Sequence, residues 1–182
     1  MRSLIPLSIA LLALALPAIA AEDKATGLVV ELPEAEFIIE PSTLTGQYTA
    51  NFSVNTVSGE PSLIGGKYLC EVGFQPGPQN ADLTRDEINA TLAAPEWVAM
   101  ARGRMSSIFE FDGTEQFELA GATGYQFIAI PKQAGAEDVR VVLTMIETPK
   151  GRTAISCATN EQQLDRALPV FRTIRQGVTP PA

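Results

Sequence analysis

The side chains able to do chemistry in this 182-residue chain are few in kind. Cys70 and Cys157 are its only cysteines, it has no histidine, and it carries 21 acidic residues. The lack of histidine excludes Ser-His-Asp and Cys-His nucleophile systems and His-ligated zinc, copper and haem sites. Carboxylate is what remains in surplus. Glu110, Asp112, Glu115 and Glu118 form one group, and Glu31, Glu34, Glu36 and Glu40 another. Oxygen-rich clusters can hold Ca²⁺ and paired carboxylates can hydrolyse glycosides. Neither group has the ligand order of an EF-hand loop, however, and charges around turns are ordinarily just solvated. Carboxylate hydrolysis and Ca²⁺ or small-ligand binding therefore stand as the alternative reading.

Other spacings exclude more than they offer. Gly65-Gly66-Lys67 lacks the P-loop spacing, and Gly121-Ala122-Thr123-Gly124 lacks the preceding strand and following helix of a dinucleotide fingerprint. Ser106-Ser107 with Lys132 matches no serine–lysine pattern. The expectation is a non-enzymatic chain with no cofactor and no metal site. Trp97, the sole tryptophan, is of the type enriched at binding hot spots, although a helical Trp in a small domain more commonly packs into the core. Together with Glu110, Asp112 and Glu115 it defines the candidate partner surface.

The N-terminus sets the compartment in which these groups work. Arg2 precedes an apolar run from Leu4 to Ala15, and Ala18-Ile19-Ala20 has the small-x-small pattern of a signal-peptidase site. We expect residues 1–20 to be a signal peptide cut after Ala20, with the protein exported to the periplasm. The run is shorter than the roughly 20 apolar residues of a membrane span, so no stable membrane insertion is expected after cleavage. No Cys follows the cut for lipid attachment, and no Arg-Arg pair marks export in the folded state. In an oxidising compartment the two cysteines should form a Cys70–Cys157 disulfide. There is no Cys-x-x-Cys, so the bond reads as structural, constraining the unfolded chain by roughly 4 kcal/mol on the loop-entropy model. Residues 21–182 carry 12 basic and 21 acidic side chains, a net charge of −9. Nucleic acid is bound by concentrated Lys and Arg, so it is not an expected partner; a protein of the cell envelope is.

The elements that must position these residues follow from periodicity. Residues 21–36 and 178–182 show no clear period and are expected as loose ends of a single globular domain over 21–182, with a short strand at Phe37–Ile39. Tyr68, Cys70, Val72 and Phe74 alternate onto one face of a strand. Thr84-Arg85-Asp86-Glu87 reads as a capping box that starts a helix; Pro95 interrupts it and can open a second helix that stops near Gly103. Phe109 and Phe111, then Phe117 and Leu119, suggest a hairpin turning at Asp112-Gly113. Tyr125–Ile130 and Val139–Ile146 are apolar on both alternating sets, as central strands are. Thr153–Cys157 forms a short strand, and Leu164, Ala167, Leu168, Phe171 and Ile174 make one stripe of a closing helix.

This order of elements resembles the PsbP-like fold, which includes the photosystem PsbP subunit, a Ran-binding import factor and small exported bacterial proteins. The similarity spans residues 63–178 and rests on Cys70-Glu71-Val72-Gly73-Phe74, the passage from strand to helix at Cys157, and Leu168-Pro169-Val170-Phe171-Arg172-Thr173-Ile174. It is strongest to the exported bacterial members. The resemblance implies an α+β domain in which an antiparallel sheet of about six strands is covered by helices on both faces. It also implies a family that binds or assists protein partners rather than catalysing reactions. The metal-binding and Ran-binding residues of particular members have no counterparts here.

Overall fold

The computed structural model describes residues 17–182. In chain order its elements are β1 (Ala18–Asp23), β2 (Leu28–Pro33), β3 (Phe37–Pro41), β4 (Ala50–Thr56), β5 (Cys70–Pro76), α1 (Arg85–Ala93), α2 (Pro95–Met105), β6 (Phe109–Leu119), β7 (Ala122–Pro131), β8 (Val139–Thr148), β9 (Gly151–Asn160), α3 (Leu164–Gln176) and β10 (Val178–Thr179). A seven-stranded antiparallel sheet runs β3-β4-β5-β9-β8-β7-β6, and a three-stranded sheet runs β1-β2-β10. The main sheet has seven strands, in keeping with the expected sheet of about six.

Each face of that sheet buries its own core. On one side Val54, Cys70, Val72, Phe74, Val142, Ile155 and Cys157 pack against α3 and the small sheet, through Phe171, Ile174, Leu28, Val30 and Leu32. On the other, α1 and α2 press Ile88, Leu92 and Ala101 onto Tyr125 and Phe127. Cys70 and Cys157 face each other in register on β5 and β9 and are bonded, with Cα atoms 4.1 Å apart. The bond thus joins the early strands to the late half of the sheet, as the alternation around Cys70 requires.

The local signals at Thr84 are realised. Its side chain accepts from the Glu87 backbone N–H while the Glu87 carboxylate accepts from the Thr84 backbone N–H, 2.8 Å away. Glu87 is held below the usual carboxylate range chiefly by that backbone hydrogen bond. Pro95 opens α2 at a position where an N–H would have no helical partner. The helix continues two residues past Gly103, to Met105.

Two expectations are corrected. Residues 21–36 and 178–182 are not loose throughout: Leu28, Val30 and Leu32 alternate inward on β2, which pairs with β1 on one side and β10 on the other. The burial of those three aliphatic side chains outweighs the acidic residues around them. A cut after Ala20 leaves the Ala21–Asp23 half of β1 paired with Leu28–Val30. Arg2 and the apolar run to Ala15, on which the expected signal peptide rests, lie outside the described residues.

Asp112-Gly113 is also not a hairpin turn. β6 runs unbroken from Phe109 to Leu119, and its register against β7 shifts between Phe111 and Gly113, with Phe111 opposite Ala129 and Gly113 opposite Ile128. Asp112 is the extra residue of a β-bulge. The turn lies at Ala120-Gly121, where both residues have positive φ, 51° and 75°, as a two-residue hairpin loop matched to strand twist demands.

Candidate functional site

The bulge decides which face each later β6 side chain meets. Before it, Phe111 packs edge-on to Phe127, ring centroids 5.8 Å apart, on the side of α1 and α2. Beyond it the even positions take over that side: Thr114 accepts from Arg102 Nε of α2, and Gln116 lies 3.1 Å from the Tyr125 hydroxyl. The odd positions cross to α3. Glu115 Oε2 accepts from Arg172 Nη2 at 2.9 Å and Glu115 Oε1 from Arg175 Nη2 at 3.2 Å. Arg175 also stacks its guanidinium on Phe117 and donates to Gln126 Oε1 at 3.2 Å. Phe117 in turn lies over Gly124 of β7, so close that a Cβ there would come within 2.4 Å of the ring. Burial pushes the Glu115 carboxyl up, but the hydrogen bonds and charges of Arg172 and Arg175 outweigh it and hold the group below the usual carboxylate range.

This arrangement separates the acidic residues singled out in the sequence. Glu115 is committed to two arginines. Glu118, three residues further along an extended strand, projects to the opposite face. Glu110 and Asp112 are exposed at the bulge end of β6. No three Asp, Glu, Cys or His side chains converge as a metal site among the described residues. Elsewhere two buried charges are also paired: Glu147 of β8 accepts from Arg152 Nε of β9 and from Asn80 Nδ2, and Arg140 pairs with Glu161 at 3.0 Å.

Trp97 has a different setting. Because Pro95 fixes the start of α2, Trp97 falls in its first turn with its ring stacked on Tyr125, centroids 4.8 Å apart, and 6.4 Å from Phe127. Tyr125 is held in turn by donating to the Leu92 carbonyl at 2.8 Å. Trp97 is half-buried rather than enclosed. Its outer edge borders two adjoining hollows. One, of about 160 Å³, is shared with Leu83, Leu92, Asn80, Glu147 and Arg152. The other, of about 80 Å³, is formed by Met100, Ala101, Arg104 and Met105 of α2 together with Met145 of β8 and Arg152 of β9.

The smaller hollow collects every methionine of the chain except Met1, beside its sole tryptophan. Sequence reasoning singled out Trp97 as the sole tryptophan but did not connect it with Met100 and Met105 of the same helix. It missed Met145 and Arg152, which come from a hairpin about 50 residues later. No local signal connects that hairpin with α2. Met100 is 45% exposed and Arg104 is exposed, with no acidic side chain within ion-pair distance among the described residues. The hollow can therefore accept an apolar group beside unneutralised positive charge.

No family model matches the chain, and no curated protein matches it. Among solved structures, the cyanobacterial PsbP of Synechocystis sp. PCC 6803 superposes over 95% of this chain and 97% of its own, with a TM-score of 0.54 at 11% identity. A protein of unknown function from Pseudomonas aeruginosa superposes over 90% of this chain and 96% of its own, with a TM-score of 0.46 at 11% identity. The first of these matches, together with the antiparallel sheet carrying helices on both faces, shows that this chain has the PsbP-like fold.

Proposed function

We propose that this protein is a non-enzymatic accessory protein of the periplasm that docks a protein partner of the cell envelope through the face around Trp97. The observation that carries the reading is the open hollow on α2, where Trp97, Met100, Met105 and Met145 gather beside Arg104 and Arg152. Aromatic residues, methionine and arginine are the types enriched where proteins meet, and methionine adapts its flexible thioether chain to the surface it meets. The carboxylate alternative has less support, since Glu115 and Glu147 are engaged by arginines and the other acidic residues on β6 do not converge. Among the described residues no helix is long and apolar enough to cross a membrane, which fits a protein that works beside its partner.

The test is site-specific photo-crosslinking in cells. A photoreactive residue at position 100 should give one discrete protein adduct, whereas the same residue at Lys24, exposed near the turn of the small sheet, should not give it. Equal labelling at both positions, or none at either, counts against the reading. Fractionation of the same cells checks the compartment, with a mature N-terminus at Ala21 expected in the periplasmic fraction.

A further inference from the structure

The α2 hollow carries information about the chemistry of what enters it. We infer that it seats a single aliphatic side chain of an acidic segment on the partner, with a carboxylate next to that anchor meeting Arg104 and Arg152. The inference rests on the docking role proposed above and specifies its ligand.

Size is the first argument. A hollow of about 80 Å³ is far below the roughly 300–1,000 Å³ that encloses a drug-sized ligand. It is also smaller than the roughly 150 Å³ cavity that takes up benzene. One Leu-sized group fits that scale. The lining is the second argument: Met100, Met105 and Met145 present flexible, polarizable side chains that close around an aliphatic group.

Charge is the third. Arg104 has no acidic partner among the described residues, and Arg152 contacts Glu147 through Nε, with no hydrogen bond from its terminal nitrogens among the described residues and its side chain 38% exposed. Two guanidiniums thus flank an apolar hollow with no acidic side chain in its own lining, Arg104 unpaired among the described residues and Arg152 backed by Glu147 from the adjoining hollow, on a protein whose overall balance is acidic. At physiological salt the Debye length is about 8 Å, so a docked segment responds to these two arginines more than to the net charge. The same patch of a second copy would set Arg104 and Arg152 against their own counterparts, which disfavours a symmetric self-contact.

Trp97 borders the hollow and is the only tryptophan, so its fluorescence reports occupancy directly. The probe is the acetylated, amidated pentapeptide Asp-Glu-Leu-Glu-Asp, titrated into the full mature protein. Two control peptides have Ala in place of Leu, or Lys in place of each acid. The acidic Leu peptide should change Trp97 emission saturably. Replacing Leu by Ala in the peptide, or Arg104→Glu in the protein with an unchanged circular dichroism spectrum, should weaken binding by at least about tenfold.

Equal response to the Lys peptide, no saturable response to the acidic peptide, or indifference to Arg104→Glu overturns the inference. So does sedimentation showing a dimer that Arg104→Glu dissolves, because the occupant is then a second copy. If the peptide fails while the adduct at position 100 persists, the docking role stands and only this ligand chemistry falls. Loss of both removes the docking role itself.

Discussion

Arg175 of α3 lies with its guanidinium carbon 4.0 Å from the centre of the Phe117 ring on β6, while its Nη2 pairs with Glu115 two residues earlier on the same strand. The arginine is almost fully covered, with 8% of its side chain exposed. It thereby fixes the last helix to the edge strand of the main sheet through a cation–π contact, an ion pair and a hydrogen bond to Gln126. Arg175→Ala removes all three and leaves the Glu115 charge with Arg172 alone. The expected cost is about 2–3 kcal/mol, at or just below the range for breaking a buried pair because Glu115 is partly solvated. A lower urea midpoint with an unchanged m-value checks it.

The same contact gives stability a pH dependence. Glu115 titrates below its ordinary value in the folded protein because Arg172 and Arg175 outweigh the effect of burial. A carboxyl whose folded pKa is depressed adds stability above its unfolded pKa and loses it as pH falls through the folded one. The stability gap between wild type and Glu115→Gln should therefore be full at pH 7, narrow as pH drops below the ordinary carboxylate range, and close in stronger acid. Unfolding both proteins at pH 7 and pH 3 tests this; a gap that widens in acid refutes it.

Deleting Asp112 should damage the fold far more than replacing it. The bulge shifts the register by one residue, and a one-residue slip sends every following side chain to the other face. Without it, Glu115 and Phe117 would turn from α3 toward α2. Asp112→Ser, which keeps the bulge, should change stability by no more than about 0.5 kcal/mol, as exposed substitutions usually do. The deletion should lower the thermal midpoint markedly and abolish the pH-dependent gap attributable to Glu115.

Ala120 is the only non-glycine with positive φ among the described residues. A side chain pays roughly 1–2 kcal/mol in the left-handed region, where Asn is better tolerated. Ala120→Asn should stabilise the protein by about 1 kcal/mol, read as a higher urea midpoint.

Much of this architecture is legible in the sequence. Thr84 and Glu87 announce the start of α1, Cys70 alternates with Val72 and Phe74 onto the core face, and the doubly apolar runs of β7 and β8 mark central strands. Each is a period or spacing over a few residues, read without knowing the rest of the chain. β2 shows the limit of such signals: Leu28, Val30 and Leu32 alternate, but the run is short and flanked by acids, and its burial depends on β10, which comes almost 150 residues later. β6 shows another. Its apolar residues look like a hairpin because Asp-Gly is a common turn pair, and only pairing with β7 makes Asp112 a bulge.

The sequence by itself determined the type of most elements between Cys70 and Ile174, the capped helix start, the disulfide partners and the absence of histidine chemistry, because these depend on residue identity and short-range periodicity. Tertiary structure decided the meeting of Glu115 with Arg175, 60 residues apart, and of Trp97 with Met145 and Arg152 around one hollow. Those contacts follow from the strand order β9-β8-β7-β6 and from the face change at Asp112. Strand order is selected by the joint burial of both faces of the sheet, a property of the whole packed chain that no local spacing encodes.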